Sequence, residues 1–237
     1  MATKLTFNRL EKKFILTQEQ YLRIKEEVDK RFNPDEYGET KICNLYYDTP
    51  DYLLITRSIE KPVYKEKLRL RTYGIPTEDS LGFAEVKKKY NGVVFKRRIV
   101  MPLKNTLKFL SNESDLENPT QISKEIKYFL SFYNKLEPRI YISYDRSAFF
   151  CKDDPDFRIT FDKNLTWRNY DLDLTKGSYG DSLLDDGQVL MEIKVATAIP
   201  LWLVDILSEL KVYTRSFSKV GTAFLKMITT QRSYIKC

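Results

Sequence analysis

The dominant pattern along this chain is alternation with period two. Across residues 63–73, Lys65, Lys67, Arg69 and Arg71 fall on one parity while Leu68 and Leu70 fall on the other, the pattern of a β-strand with one polar and one apolar face. Residues 83–89 set Glu85, Lys87 and Lys89 against Ala84, Val86 and Lys88, and residues 93–101 set Lys96 and Arg98 against Phe95 and Arg97. The Asn91-Gly92 pair between these two stretches is a strong hairpin signal. In residues 139–150, Tyr144, Arg146 and Ala148 share a face. In residues 157–162, Arg158, Thr160 and Asp162 oppose Ile159 and Phe161, and in residues 188–195, Glu192 and Lys194 oppose Met191 and Ile193. A further strand is expected over residues 42–47, closed by a turn at Asp48-Thr49-Pro50.

Helical spacing is rarer. Thr17 is a plausible N-cap for a helix over residues 18–32, with Tyr21, Ile24 and Val28 on its apolar stripe and Asn33-Pro34-Asp35 ending it. Residues 123–133, 200–213 and 219–232 supply three more helices. No internal repeat, low-complexity segment or linker interrupts the chain, so one antiparallel-rich α+β domain over residues 1–237 is expected. A closed antiparallel barrel with a polar interior would give all the cationic parities one destination.

Charge sharpens this picture. Cations on alternate residues of a strand lie about 7 Å apart and repel by about 0.6 kcal/mol in water, or about 2.4 at an effective dielectric near 20. A face of this kind is either an ordinary solvated surface or a site for an anion of high charge density. The net charge of +7 favours acidic partners. Histidine is absent, which excludes imidazole general bases, histidine-ligated zinc and serine–histidine or cysteine–histidine nucleophiles. The cysteines Cys43, Cys151 and Cys237 lack CxxC spacing and read as reduced thiols. Residues 1–4 lead into patterned sequence with no signal-peptide core, and no apolar run approaches the roughly 20 residues of a membrane span, so a cytoplasmic protein is expected. Arginine forks grip phosphate bidentately, lysines add point charges and carboxylates hold a hard cation. An interior of this composition therefore suits polyphosphate bound with a divalent metal.

Several short segments together resemble a known family: Glu11-Lys12-Lys13-Phe14, Asn44-Leu45-Tyr46-Tyr47-Asp48, Arg69-Leu70-Arg71-Thr72-Tyr73-Gly74, Glu85-Val86-Lys87, Tyr144-Asp145-Arg146-Ser147-Ala148-Phe149, Arg158-Ile159-Thr160-Phe161-Asp162, Glu192-Ile193-Lys194 and Ser216-Phe217-Ser218-Lys219. In this order they are similar to the vacuolar transporter chaperone (VTC) domain, the polyphosphate polymerase domain of the triphosphate tunnel metalloenzymes, related to CYTH phosphatases and class IV adenylate cyclases. The resemblance implies an eight-stranded antiparallel tunnel barrel with flanking helices, a divalent metal (Mn2+ or Mg2+), and transfer of the terminal phosphoryl group of ATP onto a polyphosphate chain. It implies phosphate binding by Lys13, Arg69, Arg71, Lys87, Lys96, Tyr144, Arg146, Arg158, Ser218 and Lys219, with Lys219, Arg146 and Arg158 in catalytic roles. Glu192 would be the metal ligand, joined by Glu11 or Glu85. The superfamily's ExExK pattern is only half kept, since the window reads Arg9-Leu10-Glu11-Lys12-Lys13, which weakens a two-metal phosphatase reading.

An inorganic triphosphatase or nucleotide-processing enzyme on the same barrel is the alternative. A non-catalytic polyanion binder is the alternative of another class. Nucleic acid is not expected as a partner, because the cations recur at period two on many strands rather than forming one surface stripe.

Overall fold

The computed structural model describes residues 10–235, with side chains described as far as residue 230. The expectations that touch Met1–Lys4, Arg9 and Cys237 lie outside those residues. In chain order the elements are β1 (Leu10–Leu16), α1 (Gln18–Arg31), β2 (Phe32–Asp48), α2 (Leu53–Ile59), β3 (Tyr64–Tyr73), β4 (Leu81–Tyr90), β5 (Val93–Pro102), α3 (Leu103–Leu110), α4 (Gln121–Phe132), β6 (Glu137–Cys151), β7 (Arg158–Arg168), β8 (Asp181–Ser182), β9 (Val189–Val195), α5 (Leu201–Glu209) and α6 (Lys219–Ile235). The class is α+β and the pairings with assigned register are antiparallel. None of the described helices is long and apolar enough to cross a membrane.

The hydrogen-bonded strand order is β1-β9-β7-β6-β2-β3-β4-β5, with β8 added to β7. This order is an open path, so the expected closed eight-stranded barrel is corrected to an antiparallel sheet with flanking helices. Alternation fixes which face a side chain takes; it carries no information on whether the first and last strands meet. β5 is built as an edge, exposed along most of its length and carrying Lys96, Arg97 and Arg98 in succession, the charge that edge strands use against further pairing.

The chain divides into two compact units, and three of the five divisions fall inside β2, β6 and β7. In the first unit, β1 pairs with β9 and β9 with β7, keeping Lys13, Glu192 and Thr160 in one cross-strand row. The other face of these strands supplies Phe14, Leu16, Ile159, Phe161, Met191 and Ile193 to a core closed by Tyr21, Ile24 and Val28 of α1 and Leu203, Ile206 and Leu207 of α5. Thr17 starts α1 through a capping box: its hydroxyl accepts from the Gln20 N–H, and the Gln20 side chain accepts from the Thr17 N–H. The helix stops at Arg31. The extended strand beginning at Phe32 then runs straight through Pro34, where only a helix break was expected.

In the second unit, Leu68 and Leu70 of β3 and Ala84 and Val86 of β4 pack with Leu103, Phe109 and Leu110 of α3 and Ile126, Phe129 and Leu130 of α4. The β4–β5 hairpin turns on Asn91 and Gly92 at φ 43° and 85°, the two left-handed residues of a type I′ turn. Helix α2 was not expected. It is held by the buried Asp48 carboxylate, which accepts from the backbone N–H groups of Thr49, Leu54 and Ile55. Burial pushes the Asp48 carboxyl up, and those N–H groups oppose the shift.

Arg168 is buried at 1% exposure. Its guanidinium donates to the carbonyls of Asp171, Gly177, Tyr179 and Asp173 at 2.9–3.1 Å and lies between the Tyr141 and Tyr179 rings, 3.6 and 4.2 Å from their centroids. It thereby satisfies the backbone of a loop that has little other secondary structure. A lysine presents a point charge and cannot span four carbonyls. Arg168→Lys is therefore expected to lower stability by about 2–4 kcal/mol, from carbonyls left unsatisfied in the interior. It should also open the loop to tryptic cleavage at Lys176. Urea midpoints and limited proteolysis check this, and an unchanged midpoint would contradict the staple.

Candidate functional site: a cationic face and a mixed face

The register of β3, β4 and β5 turns sequence parity into one surface of the second unit. Lys67 lies opposite Lys87, and Lys87 opposite Lys96. Arg69 lies opposite Glu85, and Glu85 opposite Arg98. Lys65 lies opposite Lys89. Among the described residues of this three-strand face, Glu85 is the carboxylate set against all those cations. Directly opposed like charges destabilise a sheet, so the Lys67–Lys87–Lys96 row is an arrangement an anion would relieve.

The two arginines are held in place rather than left to swing. Arg69 Nε donates to Glu85 Oε2 at 2.7 Å and its Nη1 to the Tyr46 hydroxyl at 3.4 Å. Arg71 Nε donates to Asn44 Oδ1 at 2.9 Å, and Asn44 is itself fixed by the Ile142 carbonyl at 3.2 Å. Lys96 pairs with the other Glu85 oxygen. Burial raises the Glu85 carboxyl, but Arg69, Arg71 and Lys96 outweigh it and leave it lowered from 4.5 to about 2. Lys96 also moves down, first through desolvation and then through repulsion from Arg69 and Arg71, against the pull of Glu85. An isolated ion pair drives its two partners apart in pKa; here desolvation, with repulsion from Arg69 and Arg71 added to it, outweighs the pull of Glu85 on Lys96.

Ser218 caps α6, its hydroxyl accepting from the Gly221 N–H at 3.3 Å, as the sequence led us to expect. It also accepts from Lys67 Nζ at 3.0 Å, which brings the start of α6 to the cationic face. A Cβ at Gly221 would lie 3.3 Å from the Ser218 side chain and 3.4 Å from Ile59, so the glycine permits this close approach. Lys219 is the first residue of α6 and is half-buried.

The face on the first unit is of mixed charge. Arg146 grips Asp162 with both arms, Nε to Oδ1 at 2.5 Å and Nη2 to Oδ2 at 2.7 Å, and reaches Glu192 at 3.4 Å. Its guanidinium lies 5.1 Å from the centre of the Tyr144 ring. Burial opposes its charge, and Asp162, Tyr144 and Glu192 together reverse that, holding the guanidinium protonated. Lys13 lies 3.8 Å from Glu192 and 3.3 Å from Glu11, and donates to the Phe217 carbonyl at 3.0 Å. Arg158 stacks 4.5 Å from the Phe150 ring centre and approaches Asp35 at 3.8 Å.

The sequence-derived set therefore falls into two groups. Arg69, Arg71, Lys87, Lys96, Glu85, Ser218 and Lys219 belong to the second unit, while Lys13, Glu11, Tyr144, Arg146, Arg158 and Glu192 belong to the first. Sequence reasoning left Asn44, Tyr46 and Asp162 out of the site, although all three stand in the quoted motifs. Their parity would have found Asp162; Asn44 and Tyr46 require the β2–β3 register, Asn44 opposite Arg71 and Tyr46 opposite Arg69.

No group of three or more His, Cys, Asp and Glu side chains is gathered for a metal among the described residues. Asp162 is committed to Arg146. Glu192 lies 3.4 Å from Arg146 and 3.8 Å from Lys13. Such a carboxylate fits an ion of the Mg2+ type, which takes one or two protein carboxylates and completes its shell with phosphate oxygens and water.

The Glu85 shift sets a pH window. Its carboxyl is more acidic in the folded chain, so the stabilisation is complete above about pH 4.5 and disappears as pH falls toward about 2. Wild-type protein should lose on the order of 3 kcal/mol more than Glu85→Gln across that window, measured by denaturant titrations at stepped pH. Parallel curves for the two proteins would show that the clamp contributes nothing.

Comparison with known proteins places this geometry. Among solved structures, the chain is similar to a candidate adenylate cyclase from Bacillus halodurans at 11% identity and a TM-score of 0.54, over 89% of this chain and 93% of that one. A candidate adenylate cyclase from Vibrio parahaemolyticus matches at 14% identity and a TM-score of 0.48, over 92% and 98%. The first likeness is one of fold. No curated protein matches the sequence. The family model of the VTC domain matches residues 8–228. With nearly its whole length covered by that match, the chain belongs to the VTC domain family.

Proposed function

We propose that this protein is a metal-dependent phosphotransferase that moves the terminal phosphoryl group of ATP onto a polyphosphate chain. The observation that carries the reading is the register of the cationic face, where Lys67, Lys87 and Lys96 stand opposite one another in one row and Arg69 and Arg98 flank Glu85 in the next. A triphosphate or polyphosphate supplies the missing negative charge in dense form, and family membership agrees with that substrate class.

Phosphoryl transfer through a loose transition state asks a protein for positioning and charge stabilisation. Arg69 and Arg71, fixed by Glu85, Tyr46 and Asn44, need little reorganisation to accept phosphate oxygens. Lys87 and Lys96 add point charges, and Lys219 at the positive end of the α6 dipole adds a cation for a terminal phosphate. Lys13, Arg146, Arg158 and Tyr144 provide the second set of phosphate contacts. Glu192, with Glu11, would hold a divalent ion, which when bound neutralises charge on the transferring group; Glu85 belongs to the other unit, with Arg69 and Lys96 on its two oxygens. In the reaction, an oxygen of the acceptor's terminal phosphate forms a bond to the γ-phosphorus, the bond from that phosphorus to the β,γ-bridging oxygen breaks, and ADP leaves with the electron pair. The acceptor oxygen is already ionised near neutral pH, so the absence of histidine is no obstacle.

ATP with Mn2+ or Mg2+ is expected to yield ADP and long-chain polyphosphate. Stoichiometric orthophosphate would make the chain a triphosphatase, cyclic nucleotide with pyrophosphate a cyclase, and no turnover a polyanion-binding module. Glu192→Gln should lose metal-dependent turnover yet keep most of the affinity for tripolyphosphate; retained metal dependence in that variant would remove Glu192 from its role.

Lys219→Ala should lower kcat far more than thermal stability. Ser218→Ala should cost about 1 kcal/mol of stability through the lost cap. If Lys219→Ala turns ATP over normally, the start of α6 is a capped helix and nothing more.

A further inference from the structure

The second unit carries a recess outside the cationic β3–β5 face. Glu66 and Lys88 lie opposite each other on the apolar parity of β3 and β4, beneath α4 and beside α2. Here the recess has a volume of about 380 Å³, within the roughly 300–1,000 Å³ typical of small-molecule sites. Its wall is aromatic: Tyr64, Tyr128, Phe132 and Tyr133. Tyr133 packs against the core of this unit, but core packing does not explain the other three rings. Tyr128 and Phe132, one turn apart on α4, are 66% and 62% exposed, and Tyr64 is 45% exposed. Arg57, Lys65 and Lys88 line the same recess.

Glu66 is buried beside them. It accepts from the Tyr64 hydroxyl at 2.5 Å and from the Tyr133 hydroxyl, with Lys88 Nζ at 3.8 Å. These bonds fix the two tyrosine rings in orientation. A carboxylate offers about four acceptor positions, so Glu66 retains capacity for an N–H on a ligand. An aromatic cage for a cation is disfavoured, because Arg57, Lys65 and Lys88 outnumber the carboxylate. Aromatic faces rimmed by cations suit a flat ring that carries an anionic group.

We propose that this recess is a second ligand site, for a nucleoside monophosphate, with the base against Tyr128 and Phe132 and the phosphate on Arg57 and Lys88. The site is independent of the phosphotransferase reading, since it shares none of the residues assigned to that activity.

The test uses AMP as the probe, titrated calorimetrically into the full chain already saturated with tripolyphosphate, which fills phosphate sites but has no base. AMP should still bind. Phe132→Ala and Arg57→Ala should each weaken it about tenfold or more, the scale of one lost base stack. In the wild-type protein, 8-azido-AMP should photolabel the segment of residues 121–133 with tripolyphosphate present, which reads the site even if a variant is unstable. Absence of AMP binding, its displacement by tripolyphosphate, or unchanged affinity in both variants would each overturn the proposal. So would capture by phosphatidylserine vesicles without any AMP binding, since that outcome makes the aromatic patch a membrane contact.

Discussion

The phosphotransferase reading depends on how like charges are kept side by side on β3, β4 and β5. Cross-strand neighbours lie about 5 Å apart, and there Lys67, Lys87 and Lys96 oppose one another in one row while Arg69 and Arg98 flank Glu85 in the next. Glu85 answers Arg69 on one oxygen and Lys96 on the other. The remaining repulsion is tolerated because the opposite side of the same strands packs Leu68, Leu70, Ala84 and Val86 into a continuous core. The fold's stability thus comes from one side of the sheet and its chemical potential for anions from the other.

The first unit solves a different problem with similar residues. On its polar face, Glu11, Glu192 and Asp162 are interleaved with Lys13, Arg146 and Arg158, so charge is nearly balanced locally. Arg146 is the organising group, since it ties Asp162 of β7 to Glu192 of β9. A balanced face favours a ligand that brings charge of both signs, such as a phosphate with its cation, whereas the β3–β5 face favours the anion alone.

Much of this was legible in the sequence because period-two alternation survives any error in strand ends. The parities of Arg69 and Arg71, Lys87, Lys96, Arg146 and Glu192 follow from it, as does the Asn91-Gly92 hairpin, whose turn chemistry is local. What escaped depends on contacts that no local period or capping signal marks. Helix α2 takes its support from Asp48, several residues upstream, and its N-cap position is Tyr52 at φ 59° with no capping side chain, so the usual start signal is missing. Strand β2 passes through Pro34 because a proline needs no ladder partner for a missing N–H where a strand begins. Barrel closure was misjudged for the same reason: the partner of an end strand is set by long-range register, to which a local period is blind. The Glu66 recess lay inside the most conspicuous motif and went unread because its partners Tyr128, Phe132 and Tyr133 come from a helix some sixty residues away.

The open edge at β5 has a kinetic meaning. Its cations stand in solvent, at the rim of the face rather than beneath it, so a polyanion arriving by diffusion meets Lys96 and Arg98 before it meets the buried Arg71. At physiological ionic strength the Debye length is about 8 Å, less than two strand spacings of about 4.8 Å, so charges in adjacent rows pull together most strongly. Capture then proceeds as a relay, each row of cations drawing the chain within screening range of the next. Under the proposed function, a long polyphosphate would move inward along such a series without ever releasing its hold, while a single phosphate would have nothing to hand on.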